Sequence, residues 1–278
     1  MLVDAHAHII DPAGFPCPEG PGYKPLPHEI GTCADYCAVL YAHAVTHALL
    51  VQPSGYGYDN SAALDAMARC PGRFKTIVML DPQTPESELQ ALSALGVVGV
   101  RFNLLSHRAD ALEGARAAGF LERLERHGWF AQLFAEDAQW QAAAEPLRRS
   151  GVKVLIDHFG VRDPSLGLSQ KGFQAVLALA REGKAAVKLS APFRVSRRPG
   201  DFADLDPYVD ALLDAFGTER CIWGSDWPFI NFPDGFTYEA ALRAVERWLP
   251  DPGARQAVMG GNAMRLFGFE AGGDGASE

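Results

Sequence analysis

No stretch of the chain approaches the roughly 20 consecutive apolar residues that a membrane-spanning helix needs. The opening MLVDAHAHII lacks the basic start, apolar stretch and small-residue cleavage site of a secretory signal. Runs of Lys or Arg are absent too. With a formal net charge of −9, this makes the chain a poor partner for nucleic acid or an anionic membrane. Cysteine is sparse. The five, at positions 17, 33, 37, 70 and 221, form no CxxC, which argues against a zinc knot or a disulfide framework. They read as small apolar filler in a reducing compartment, and the protein is expected to be cytoplasmic. No Gly-x-Gly-x-x-Gly follows the first apolar run, so an open dinucleotide-binding sheet lacks its fingerprint. No internal linker or low-complexity segment divides the chain, and nothing in it sets an oligomeric state.

What is present is an alternation. Short β-type runs recur at Leu2–Ile10, His47–Pro53, Phe74–Leu80, Val97–Asn103, Trp129–Ala135, Val152–His158, Ala185–Ser190 and Arg220–Trp227. Several, such as VKVLID and HALLVQ, are nearly continuous apolar stretches, the pattern of parallel strands covered on both faces. Helical spacing of apolar residues fills the gaps at Asn60–Cys70, Pro85–Leu95, Ala115–His127, Asp137–Ser150, Gln170–Arg181, Leu205–Phe216 and Tyr238–Leu249, with a last helix at Asn262–Phe267. Glycines 96, 128, 151, 183 and 217 stand where a left-handed cap ends a helix. Eight strand–helix alternations predict a single-domain (β/α)8 TIM barrel over residues 1–270, with 271–278 as a frayed tail. Pro12–Pro27, rich in Pro and Gly, reads as a long loop over the mouth.

In such a barrel the reactive groups project from the carboxyl ends of the strands. Strand one ends in Asp4-Ala5-His6-Ala7-His8, and alternation puts His6 and His8 on one side. Strand four ends in Arg101-Phe102-Asn103, strand six in Asp157-His158, strand seven near Lys188, and strand eight in Gly224-Ser225-Asp226-Trp227. Each motif alone is weak: two histidines can be satisfied polar residues, and an aspartate before Trp can be a helix N-cap. Three histidines and an aspartate at the same end of the barrel are a stronger signal. Basic residues gather there as well: Arg101, His107, Arg108, Arg194, Arg197 and Arg198. Arg197 and Arg198 read as solvated loop residues. Arg101, inside a strand, needs a partner. Ser54, after strand two, offers a hydroxyl to a carboxylate, while Lys188 leaves its side of the strand open.

DAHAHII, VQPSGYGYDN, GVRFN, IDHFG and WGSDWP, in this order, resemble the amidohydrolase-related (amidohydrolase 2) family, above all its branch acting on 2-pyrone-4,6-dicarboxylate and related lactones. The likeness runs from strand one to Asn262–Phe267. It implies a hydrolase that opens a carboxylated lactone, a step of aromatic compound catabolism. Asp226 would be general base on a water. His6, His8 and His158 would polarise the carbonyl, and Arg101, Ser54, Asn103 and Arg194 would bind the substrate. Lactone isomerisation or non-oxidative decarboxylation on the same scaffold is the alternative. A non-catalytic binding barrel would be expected to have lost the base or the histidines.

In metal-dependent members the resemblance places ligands at HxH, at a strand-five histidine and at the strand-eight aspartate. His6, His8 and Asp226 would supply three for a single zinc or manganese ion. Phe134 stands about where the strand-five histidine belongs and cannot ligate; Glu136 lies one residue pair further on. The lactonase branch works without a metal and shares that absence, so the expectation is a metal-free site in which imidazoles do the ion's work. Phe134 also replaces a carboxylate-binding tyrosine of that branch, which points to a related rather than an identical substrate.

Overall fold

The computed structural model describes residues 1–18, 23–105, 112, 114–232 and 235–270. His107, Arg108 and the 271–278 tail lie outside the described residues. Eight parallel strands follow one another in chain order around one sheet: β1 (Val3–Ala7), β2 (His47–Val51), β3 (Phe74–Val78), β4 (Val97–Asn103), β5 (Phe130–Phe134), β6 (Lys153–Ile156), β7 (Ala185–Ser190) and β8 (Cys221–Gly224). The ring closes at a short seam between β8 and β1. Ala7 bridges Trp227, His8 N donates to Trp227 O at 2.8 Å, and Asp226 N donates to His6 O at 2.7 Å.

The helices are α1 (Cys33–Ala42), α2 (Ser61–Arg69), α3 (Glu86–Leu95), α4 (Gly114–Arg126), α5 (Asp137–Ser150), α6 (Lys171–Leu179), α7 (Pro192–Val195), α8 (Asp206–Phe216), α9 (Tyr238–Trp248), α10 (Pro252–Gln256) and α11 (Asn262–Phe267). Among the described residues none is long and apolar enough to cross a membrane. The (β/α)8 barrel is therefore the observed fold.

The expected strands run a few residues too far at their ends. Ile10, read as the end of strand one, leaves the barrel and pairs antiparallel with Gly31. α1 was not among the expected helices. Cys33, Tyr36 and Leu40 form its buried stripe, and Cys37, one turn on from Cys33, reaches Cys70 with sulfurs 3.6 Å apart. All five cysteines are free thiols.

The core has two parts. Val3, Ala5, Leu49, Ile77, Phe130, Leu155 and Ile222 fill the lower barrel, where Phe267 and Phe269 plug the bottom. A larger apolar shell lies between strands and helices. This arrangement confines the polar interior to the upper barrel, at the carboxyl ends of the strands.

Candidate active site

β1 carries a register shift between Asp4 and Ala7. On a regular strand Asp4 and His6 would face one way; here they meet different neighbours. Asp4 accepts from Tyr36 of α1 and Tyr238 of α9, both at 2.9 Å, and from Ser225 N and Oγ at 2.8 and 2.6 Å. Burial pushes its carboxyl above the ordinary value, although these bonds pull the other way. His6 lies instead among interior side chains from β5, β6 and β7. Gly224 allows this: a Cβ there would stand 2.6 Å from the His6 Cβ.

The three histidines and the aspartate named from the sequence meet at one point. Asp226 Oδ1 lies 3.3 Å from His8 Nε2, 3.5 Å from His6 Nε2 and 3.9 Å from His158 Nε2. All four residues are buried. Their outer nitrogens are held from behind. His8 Nδ1 is 2.7 Å from Val51 O, and His158 Nδ1 is 2.9 Å from Ser190 Oγ. His6 Nδ1 is 3.1 Å from Lys188 Nζ. Lys188, whose side was open, is completely buried. It donates to Gln132 Oε1 at 2.9 Å and pairs with Asp157 Oδ1 at 3.2 Å, while Gln132 donates to Asp157 Oδ2 at 3.0 Å.

Two site residues sit in left-handed backbone: His158 at φ 49° and Asp226 at φ 67°. For non-glycine residues such conformations cost on the order of 1–3 kcal/mol each and persist where surrounding structure dictates them. Here the seam bonds fix Asp226, and the conformation aims its carboxylate inward.

The electrostatics follow from burial and charge. Burial drives the imidazoles of His6 and His8 below their usual value and brings His158 down to about 4, so all three are neutral at pH 7. Burial alone would raise Asp226. Arg194 and the imidazoles outweigh it and hold this carboxyl well below the ordinary range. Lys188 is lowered by burial to about 8 although Asp157 opposes the shift.

A cavity of about 430 Å³ opens above the cluster. His8, His158, Asp226, Arg101, Asn103, Ser54, Phe134 and Arg194 line it, joined by Tyr23, Ile230 and Asn231. Arg101 is 7% exposed. Its Nη1 donates to Gln52 O at 2.7 Å, and its Nε makes no hydrogen bond. Asn103 Nδ2 donates to Ser54 Oγ at 2.6 Å. Arg194, on α7, donates through Nε to Asp226 Oδ2. Arg197 and Arg198 are exposed and paired with Asp163 and Asp201. Glu136 is exposed at the start of α5, outside the cluster. Phe134 packs edge-on against His158, ring centroids 5.2 Å apart.

Sequence reasoning missed Gln132 and Tyr23. Asp157 was named beside His158 at the end of strand six, but without a role of its own. Gln132 shares the parity of Phe134 on β5, and that was its only signal. Tyr23 sits in a loop without periodicity and is brought in by its bond to Glu29.

Ligand atoms of His6, His8 and Asp226 lie within 4.8 Å of one another, as do those of His6, Asp157 and His158. Both sets are of the type that holds a divalent ion.

Among known proteins, the chain is 30% identical over 272 residues to the 4-sulfomuconolactone hydrolase of Hydrogenophaga intermedia, covering 95% of this chain and 88% of that one. It is 27% identical to the 2-pyrone-4,6-dicarboxylate hydrolase of Comamonas testosteroni, covering 95% and 89%. A solved structure of a probable 2-pyrone-4,6-dicarboxylic acid hydrolase from Acinetobacter baumannii, with citric acid bound, superposes with a TM-score of 0.86 at 30% identity. That match covers 96% of this chain and 99% of the other. The family pattern described as Amidohydrolase matches residues 3–269. With its barrel, its HxH strand and its strand-eight aspartate, this chain belongs to the amidohydrolase family of hydrolases.

Proposed function

We propose that the protein opens a carboxylated lactone of the 2-pyrone-4,6-dicarboxylate type, with Asp226 as general base on a water. One observation carries this reading. Asp226 Oδ1 and His6 Nε2 are buried, make no hydrogen bond and lie 3.5 Å apart at the cluster beside the cavity. Buried polar groups without partners are costly, and here they flank the position of a reacting oxygen.

In the proposed reaction a water oxygen attacks the lactone carbonyl carbon and its proton passes to Asp226. The carbonyl π electrons move to oxygen, where His6 and His158 meet the negative charge. Collapse of the tetrahedral intermediate breaks the ring C–O bond, and Asp226 returns its proton to the leaving oxygen. Held well below the ordinary carboxyl range, Asp226 is ionised before each turnover. Arg101, which has no carboxylate hydrogen-bonded to it, fits a substrate carboxylate, with Ser54 and Asn103 beside it. Phe134 offers no hydroxyl at this wall, which supports a related substrate rather than the pyrone itself.

The expected metal-free mode draws support from the charges around the donor set. Distances among His6, His8 and Asp226 suit an ion, but the charge balance does not. Lys188 lies against His6, Arg194 donates to Asp226 and Arg101 lowers the basicity of His8. Phe134 adds no ligand. These cations occupy the place of the charge that a divalent ion would bring, and no step here is routed through one. The free cysteines are compatible with a cytoplasmic enzyme.

The test is elemental analysis of purified protein with a lactone panel, assayed before and after chelation, products identified by NMR. Ring-opened product from metal-free protein is expected. An isomerised lactone or released CO2 would replace hydrolysis by one of the rival reactions, and stoichiometric zinc with chelator-sensitive turnover would make His6, His8 and Asp226 ligands.

A further inference from the structure

We propose that Lys188 is a positioning residue that fixes His6 as a hydrogen-bond donor at Nε2, while the Val51 carbonyl fixes its neighbour His8 as an acceptor at Nε2. The two histidines of the HxH motif then have opposite tautomers and opposite tasks. This inference rests on the hydrolase reading for its purpose, though not for its geometry.

Lys188 Nζ has only hydrogens to give, and its contacts are acceptors: Gln132 Oε1 at 2.9 Å, His6 Nδ1 at 3.1 Å and Asp157 Oδ1 at 3.2 Å. The Gln132 amide is oriented by its own donation to Asp157 Oδ2, so its oxygen faces the lysine. His6 Nδ1 must therefore present a lone pair, and its ring hydrogen sits on Nε2. In the opposite tautomer, Nδ1–H would give its hydrogen to Asp157 Oδ1, 3.3 Å away. That oxygen is already paired with Lys188, and an N–H would point at the lysine ammonium.

His8 has the reverse surroundings. Its Nδ1 is 2.7 Å from a backbone carbonyl, which can only accept, so the hydrogen is on Nδ1 and the neutral ring presents a lone pair at Nε2. That lone pair and Asp226 Oδ1 are 3.3 Å apart on the cavity wall. Two acceptors side by side hold the two hydrogens of one water and leave an oxygen lone pair for the carbonyl carbon. His6 Nε2–H, buried and unpartnered, donates to the oxygen that occupies the cluster. The same arrangement withholds from any cation the lone pair His6 would need to ligate it.

The test is long-range 1H–15N correlation of the histidine rings in the wild-type protein at pH 7, with His6→Gln and His8→Gln used to assign the signals. His6 as the Nε2–H tautomer and His8 as Nδ1–H are expected. The same tautomer on both rings overturns the proposal. No turnover is needed, so a protein that opens no lactone but shows opposed tautomers keeps this inference and loses the hydrolase reading. In Lys188→Met the His6 tautomer is expected to change and zinc affinity to rise, while kcat falls by about tenfold or more, as is usual when a partner behind a site histidine is removed. Lys188→Arg should retain the wild-type tautomer. An unchanged His6 spectrum in a folded Lys188→Met overturns the role of the lysine. Should that variant fail to fold, the wild-type spectrum alone decides.

Discussion

Two of the barrel's cavities, nearly equal in size, lie at opposite ends. The upper one measures about 430 Å³ and the lower one about 440 Å³. The lower cavity is also rich in charge, with Lys153, Lys184, Arg220, Glu125, Glu219 and Arg265 around it. Apart from half-buried Arg220, its charges are exposed, and several are paired. Lys184 lies 4.0 Å from Glu125 and donates to Gly151 O at 2.8 Å; Arg220 lies 3.8 Å from Glu219 and donates to Ala180 O. At the upper end Asp226, Arg101 and His6 are buried, and each keeps a polar atom without a hydrogen bond. Volume and charge do not distinguish the two ends. Desolvated groups left short of protein partners do, because a water or a ligand must complete them.

Three substitutions break or sharpen this contrast. Asp226→Asn keeps the shape of the upper cavity but removes its base; it should fold normally and lose about a hundredfold or more in kcat. Near-normal turnover would remove Asp226 from the base role. Arg101→Met removes a buried cation and is expected to raise KM for carboxylated lactones by about tenfold or more, the usual weight of a hydrogen bond to a charged group. Its effect on an uncharged lactone should be smaller; equal losses on both would mark Arg101 as structural. At the lower end Lys184→Gln should change stability by less than about 0.5 kcal/mol in denaturant melts and leave kinetics untouched, since exposed pairs contribute little. A large kinetic effect there would erase the distinction between the two ends.

Strand alternation made the barrel and its polar end legible, because parallel strands and site residues leave local marks: apolar runs, and polar residues where those runs stop. His6, His8, His158 and Asp226 were readable for that reason. α1 was also marked, since Thr32 and Asp35 form its capping box, but it follows a Pro- and Gly-rich loop and was passed over. The layer behind the imidazoles was far less legible. Lys188, Gln132 and Asp157 come from three strands, and nothing in the pattern of any one strand says which neighbour its polar residue will meet. The split between Asp4 and His6 depends on a register shift, which strict alternation cannot represent. Arg194 was expected to bind substrate; the structure shows it donating to Asp226, a partner that sequence could not reveal.

The seam between β8 and β1 bears on synthesis. The ribosome releases His6 and His8 first and Asp226 some two hundred residues later. Asp4 and the His6 carbonyl meet the backbone of Ser225 and Asp226 only once that last strand exists. Without β8, β1 with His6 and His8 would stand at an open sheet edge, lacking Asp226 and the closing strand. Closure of the ring and assembly of the site therefore depend on the same strand.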